Sequence, residues 1–147
     1  MSLKDRLKEE QKAAMRARDK IRLGSIRMLM AAIKQQEVDH RIELDDDAIL
    51  VVLTKMVKQR KDSITQFSAA GRTDLADTEK AELAVLEEFL PQQLTDAEID
   101  TLIDEAMAAT GATGMQDMGK VMGQLKSKLQ GRADMGAVSG KIRQRLG

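Results

Sequence analysis

A single proline, Pro91, interrupts a chain otherwise written in helix-forming residues. Leu, Ala, Met, Glu, Gln, Lys and Arg dominate, and all of them lose little side-chain freedom in a helix. Sheet formers are scarce. Two Phe are the only aromatic residues among 147, and β-branched runs are few. The composition predicts an all-α fold. Hydrophobic residues make up 42% and charged residues 33%, the balance of a surface-rich globular protein rather than a disordered chain.

Caps and stops divide the pattern into helices. Ser2 opens the first, which runs to about Arg18 on a sparse stripe of Leu3, Leu7, Ala14 and Met15. Asp19 caps a second over Lys20 to about Val38, with Leu23, Ile26, Met30 and Ile33 on its stripe and Leu29 beside them. Asp45 to Asp47 open a third, where acids suit the helix dipole, and Gly71 closes it. Thr73 or Asp74 starts a fourth, which Pro91 stops. Thr95-Asp96-Ala97-Glu98 is a capping box for a fifth. Gly111 to Gly114 form a turn, and a sixth carries Val121, Leu125 and Leu129. Asp134 caps a seventh with Val138, Ile142 and Leu146 inward. Eight of the ten glycines follow residue 110. The expected organisation is an N-terminal domain of about four long helices over residues 1–92, then a small three-helix bundle over 93–147.

Charge is neutral in sum and uneven in place. The 24 Lys and Arg match the 24 Asp and Glu. Residues 118–147 nevertheless hold Lys120, Lys126, Lys128, Arg132, Lys141, Arg143 and Arg145 against the single acid Asp134, a local charge of +6. One sign without alternation points to a directed patch for a polyanion. No aromatic residue lies there to stack on bases, so contacts would go to phosphate and shape. Residues 1–34 also sum to +6, ten cations against four acids. Glu37, Asp39, Glu43 and Asp45 to Asp47 lie just downstream and offer an internal match.

Three smaller features bear on packing or function. Gly119 and Gly123 stand one turn apart in the sixth helix, where each costs roughly 1 kcal/mol against Ala. Close approach of a neighbouring helix would offset that cost, and so would a nucleic-acid backbone near Lys120. In Gly131-Arg132-Ala133-Asp134 the glycine ends one helix and the aspartate caps the next. Arg132 is left for the last carbonyls of the sixth helix or for a phosphate. Arg27, Lys58 and Arg60 lie near apolar stripes, as do Glu79 and Glu82, so ion pairs between the third and fourth helices are expected.

Without Cys there is no disulfide, thiolate or Cys-type zinc site. His40, the only histidine, falls in a polar loop. No base is placed to activate a nucleophile, and no Glu-x-x-His appears. No catalytic residue, metal ligand or cofactor is assigned. Charged residues follow Met1 at once, so neither a signal peptide nor a membrane span is expected, and a cytoplasmic protein is.

Several segments carry a resemblance: Asp117-Met118-Gly119-Lys120-Val121-Met122-Gly123, Gly131 to Asp134, Val138-Ser139, Phe89-Leu90-Pro91-Gln92-Gln93-Leu94, and Lys58 to Ser63. Together they resemble the GatB/YqeY family over essentially the whole chain. The resemblance implies a stand-alone YqeY-like protein, related to the C-terminal part of the GatB subunit of the glutamine-dependent tRNA amidotransferase. In that subunit the tail contacts tRNA and catalysis sits in other domains. It thus implies an accessory module for tRNA or another structured RNA, with the seven tail cations as contacts and no small-molecule substrate. A second reading is a protein–protein adaptor without an RNA role, its basic tail meeting an acidic partner.

Overall fold

The computed structural model describes residues 1–147 as helices and turns with no strand, the all-α fold that the composition predicts. The helices are α1 (Leu3–Ala17), α2 (Lys20–His40), α3 (Asp46–Ala69), α4 (Thr73–Glu87), α5 (Asp96–Thr110), α6 (Met118–Leu129) and α7 (Met135–Leu146), with a single 3-10 turn at Met115–Asp117. None is long and apolar enough to cross a membrane. The chain divides into two compact units, Met1–Leu90 and Pro91–Gly147.

Capping places most of the boundaries. Ser2 Oγ accepts from Asp5 N at 3.1 Å, Asp19 Oδ1 from Arg22 N at 3.1 Å, and Asp45 Oδ1 from Ala48 N at 2.9 Å. Each bond satisfies an amide that the helix cannot. Gly71, at φ +73°, takes the left-handed turn after α3. Four other helix ends lack such a signal. Arg18 and Arg41, not glycine or asparagine, adopt the left-handed conformation after α1 and α2, at φ 55° and 53°. α4 starts at Thr73 as expected, though Arg72 before it makes no side-chain cap bond. Finally, α4 ends at Glu87, well before Pro91, because Glu88, Phe89 and Leu90 bond three residues back and tighten the last turn. His40 is the last residue of α2 rather than part of a loop.

The first unit builds its core from α1 to α4. Ile26, Leu29 and Ile33 of α2 meet Ile49, Leu53 and Val57 of α3, with Leu7 from α1 and Leu86 from α4 wholly buried among them. Two arginines tie these helices together from the core's edge. Arg22 pairs with Glu10 at 2.8 Å and with Glu88 at 2.6 Å, and these bonds raise its pKa. Arg60 lies 3.3 Å from Glu79 and 3.2 Å from Glu82, with its guanidinium 3.1 Å from Met28 Sδ. These pairs fulfil the expected link between α3 and α4, while Arg27 and Lys58 take no part. Arg60 Nε and Glu79 Oε2 are sealed from solvent without a well-aligned hydrogen bond, so attraction between charges, not bond direction, holds them. Glu37 accepts from Lys4 at 2.5 Å and from Leu44 N at 2.9 Å, and the lysine above all holds its carboxyl below the usual range.

The second unit has its own core. Ile99 and Ile103 of α5, Val121, Leu125 and Leu129 of α6, and Ile142 of α7 interlock there. The capping box at Thr95 forms in both directions. So small a core supplies little stability by burial alone, and polar links reinforce it.

Candidate nucleic-acid interface

The seven tail cations do not form one face. The cause is α5, whose Asp96, Asp100 and Asp104 recur every four residues and so line one side of that helix. Lys141 Nζ lies 3.0 Å from Asp100 and 3.7 Å from Asp96, and its pKa is raised chiefly by the bond to Asp100. Arg145 pairs with Asp104 and lies 3.8 Å from Asp100. These two cations lace α7 to α5. The acidic row at a four-residue spacing, matched by Lys141 and Arg145 four apart, is the sequence signal that would have shown this.

Arg132 is partly engaged as well. Its Nε donates to the Gln92 carbonyl at 3.2 Å, not to the last carbonyls of α6. Around it, Leu94 N donates to the Arg132 carbonyl at 2.8 Å and Gln93 Nε2 to the Gly131 carbonyl at 2.7 Å. The Pro91 to Leu94 segment and the Gly131 to Asp134 segment are thus laced into one strap. Gly131 supplies the left-handed turn at φ +74°, Ala133 is buried, and Asp134 Oδ1 caps α7 through Gly136 N at 2.9 Å. The other guanidinium nitrogens of Arg132 have no partner in the chain.

Four cations remain. Lys120 lies 4.0 Å from Asp117 and is 71% exposed, a surface pair of little strength. Asp117 is mainly occupied elsewhere. It accepts from the amides of Thr113 and Gly114 at 3.0 and 3.4 Å, which lowers its pKa and pins the loop ahead of α6. Lys126, Lys128 and Arg143 are exposed and join no ion pair. Lys126 and Lys128, two residues apart, point about 200° away from each other around α6. Lys126 instead shares a seam with Arg143. Met122 Sδ meets Ser139 Oγ at 3.9 Å where α6 and α7 touch. Lys126 and Arg143 follow those residues by four, so each borders that seam on its own helix.

Glycines flank the same seam. Gly119 precedes Met122 by three and Gly136 precedes Ser139 by three, and both are exposed. A methyl group added at Gly119 or Gly123 would meet nothing within 4 Å. The expectation that a neighbouring helix crowds these glycines is therefore overturned, and their helical cost is not offset inside the chain. Space is open above Gly119 and Gly123, while a methyl group at Gly136 would meet Asp134 Oδ1 at 3.3 Å. The one tail acid, Asp134, turns its carboxylate onto the cap of α7.

An all-helical chain with a basic, glycine-bordered C-terminal unit is the class these features define. The chain belongs to the YqeY-like family, whose description matches residues 4–146. Among its relatives is a protein of Pyrenophora tritici-repentis named altered inheritance of mitochondria protein 41, mitochondrial. It is 34% identical over 145 residues, covering 97% of this chain and 80% of the relative. The protein of that name from Lachancea thermotolerans is 36% identical over 104 residues, 69% of this chain and 56% of its own. In Vanderwaltozyma polyspora the figures are 29% over 120 residues, 76% and 64%. The chain thus spans less than two thirds of two of these three relatives. Their names correct the expectation of a cytoplasmic protein: these relatives are mitochondrial. The lack of an apolar opening run, on which that expectation rested, does not determine a compartment.

Proposed function

We propose that this protein is a non-catalytic accessory module for tRNA or a similarly structured RNA, which it contacts through the α6–α7 seam. The carrying observation is the division of the tail cations: Lys141 and Arg145 are held by α5 acids, while Lys126 and Arg143 border one open seam with no acid beside them. Lys120, Lys128 and the free nitrogens of Arg132 extend the positive field. Folded RNA presents regularly spaced phosphates, and a seam bordered by glycine lets such a backbone approach. Lys and Arg then read charge and shape rather than base edges. The GatB resemblance supports tRNA as the RNA and glutamine-dependent amidation of tRNA as the setting, with the chemistry supplied by another protein.

The test is a titration of tRNA against the pure chain across a salt series, with homopolymer RNA as competitor. About four phosphate contacts give a log–log slope of magnitude roughly 3 to 4. Displacement by folded tRNA at far lower concentration than by homopolymer supports the reading. Absence of saturable binding at low salt refutes it.

A further inference from the structure

The cations of residues 1–34 are matched internally only in part. Lys4 pairs with the downstream acids Glu37 and Glu43 and Lys34 adds its field at Glu37, while Arg22 pairs with Glu10 and Glu88 and Lys12 with Glu9. The unmatched charge has an order. Lys20, Arg27, Lys34 and Arg41 recur every seven residues along α2 and its cap, all are exposed, and none joins an ion pair. Seven residues are nearly two turns, so Lys20, Arg27 and Lys34 form one row about 21 Å long that drifts by about 20° per step, and Arg41 stands beyond it at the helix cap.

A second row runs beside it. Ile21, Met28, Gln35 and Ile42 each follow one of those cations, and three are apolar yet 49%, 38% and 55% exposed. Between the rows stand Gly24, Ala31 and Val38, also seven apart and exposed, with Val38 at 60%. Positions 21, 24, 28, 31, 35 and 38 alternate three and four apart, the spacing of a helix–helix seam, and Ile42 follows just past the left-handed cap of α2. This seam is additional to the buried one. Ile26, Leu29 and Ile33 already serve the core from the other side of α2. A shallow depression borders it, lined by Ala32 and Gln36 of α2 with Val51, Val52 and Lys55 of α3. Asp39 accepts from Gln35 Nε2 at 2.8 Å, and Glu37 and Glu43 stand beside Lys34 and Arg41 at the C-terminal end of the face.

We infer that the outer seam of α2 docks an acidic amphipathic helix of a partner protein. The small residues Gly24 and Ala31 let a second helix axis come close. The apolar row and the depression receive its apolar side chains, and the cation row meets carboxylates on its flank. Charge argues against a second copy of this chain. Antiparallel α2 helices would set cation row against cation row. Parallel ones would set the cations against Ser25, Ala32 and Asp39, of which only the last is acidic. RNA would leave the two uncharged rows unused. A bilayer would find Gly24 and Ala31 at the centre of the face, where an inserted helix carries large apolar side chains.

The test uses the full isotope-labelled chain and a designed 28-residue helix with Leu and Ala at the seam positions and Glu on both flanks. Saturable shift changes confined to the amides of residues 20–42 and the neighbouring part of α3 are expected. Arg27→Glu with Lys34→Glu should weaken binding at least about tenfold. Ala31→Trp, which keeps every charge, should weaken it comparably by blocking close approach. Both variants change only exposed side chains, so their melting should match the wild type. The same peptide with Lys in place of Glu should not bind. No saturable shift up to millimolar peptide would overturn the inference. So would shifts outside α2 and α3, equal binding of the Lys peptide, or tRNA or anionic vesicles shifting these amides where the acidic peptide does not.

Discussion

The two units divide their cations differently between ion pairs and free surface charge. In Met1–Leu90, Arg22 and Arg60 are drawn in between helices and each meets two carboxylates. In Pro91–Gly147 only the α5 side of α7 is laced in this manner, and Lys126, Lys128 and Arg143 face solvent without an acid. A run of basic residues therefore does not define a surface. Each cation becomes strut or contact according to the helix beside it. The same rule holds inside the first unit, where the outer row of α2 joins no ion pair while Arg22 of the same helix is a strut.

The comparison breaks most visibly through the cores. Leu53→Ala in the first unit and Leu125→Ala in the second should each cost about 2–5 kcal/mol, since both side chains are buried and leave a cavity. Amide exchange should quicken within the unit that carries the change. Unchanged exchange there would show that the assigned core is wrong.

The struts come next. Arg60→Ala should cost roughly 1–3 kcal/mol, because Glu79 and Glu82 are left half-buried without a cation. Chemical denaturation of Arg60→Ala beside a variant that also carries Glu79→Ala and Glu82→Ala checks this. The triple variant should be the more stable of the two. If it is the less stable, the carboxylates have another role.

Glycines sharpen the contrast at smaller scale. Gly119→Ala and Gly123→Ala should each stabilise by about 0.5–1 kcal/mol, since the helix gains and nothing is struck. Gly131→Ala, at φ +74°, should destabilise by about 1 kcal/mol. Thermal melts decide both signs, and a loss at Gly119 would restore the crowded-helix reading.

The smallest effect concerns pH. Glu37 has a lowered pKa in the folded chain, so its contribution is present above the unfolded carboxylate value of about 4.3. It is lost as pH falls through the lower folded value. Glu37→Gln should narrow the stability gap between neutral and acid pH. Lys141, raised by its α5 partners, has the opposite sign. Its contribution is complete below the unfolded value of about 10.4 and fades as pH rises through the folded one. Melting curves of Glu37→Gln and Lys141→Gln across pH test the two directions.

Much of the fold is legible because its signals are local. Ser2, Asp19, Thr95 and Asp134 cap the helices they were expected to cap, and Asp45, expected only to open α3, caps it. Arg18 and Arg41 were not legible as left-handed caps, since arginine has no intrinsic preference for that turn. The interface was legible as charge but not as geometry. Lys141 and Lys126 look alike in sequence, and only the acidic row of α5 separates them. Gly119 and Gly123 show the reverse error, because a motif that commonly marks close packing here marks open space.

The most direct measurement compares two double variants in tRNA binding at one fixed low salt, with circular dichroism confirming the fold. Lys126→Glu with Arg143→Glu should weaken binding by more than about tenfold and lower the salt slope by about 2. Lys141→Gln with Arg145→Gln should lower melting temperature while leaving affinity within about threefold, because those cations already have partners. Equal losses from both pairs, or an unchanged affinity for the first, would contradict the seam as the RNA contact.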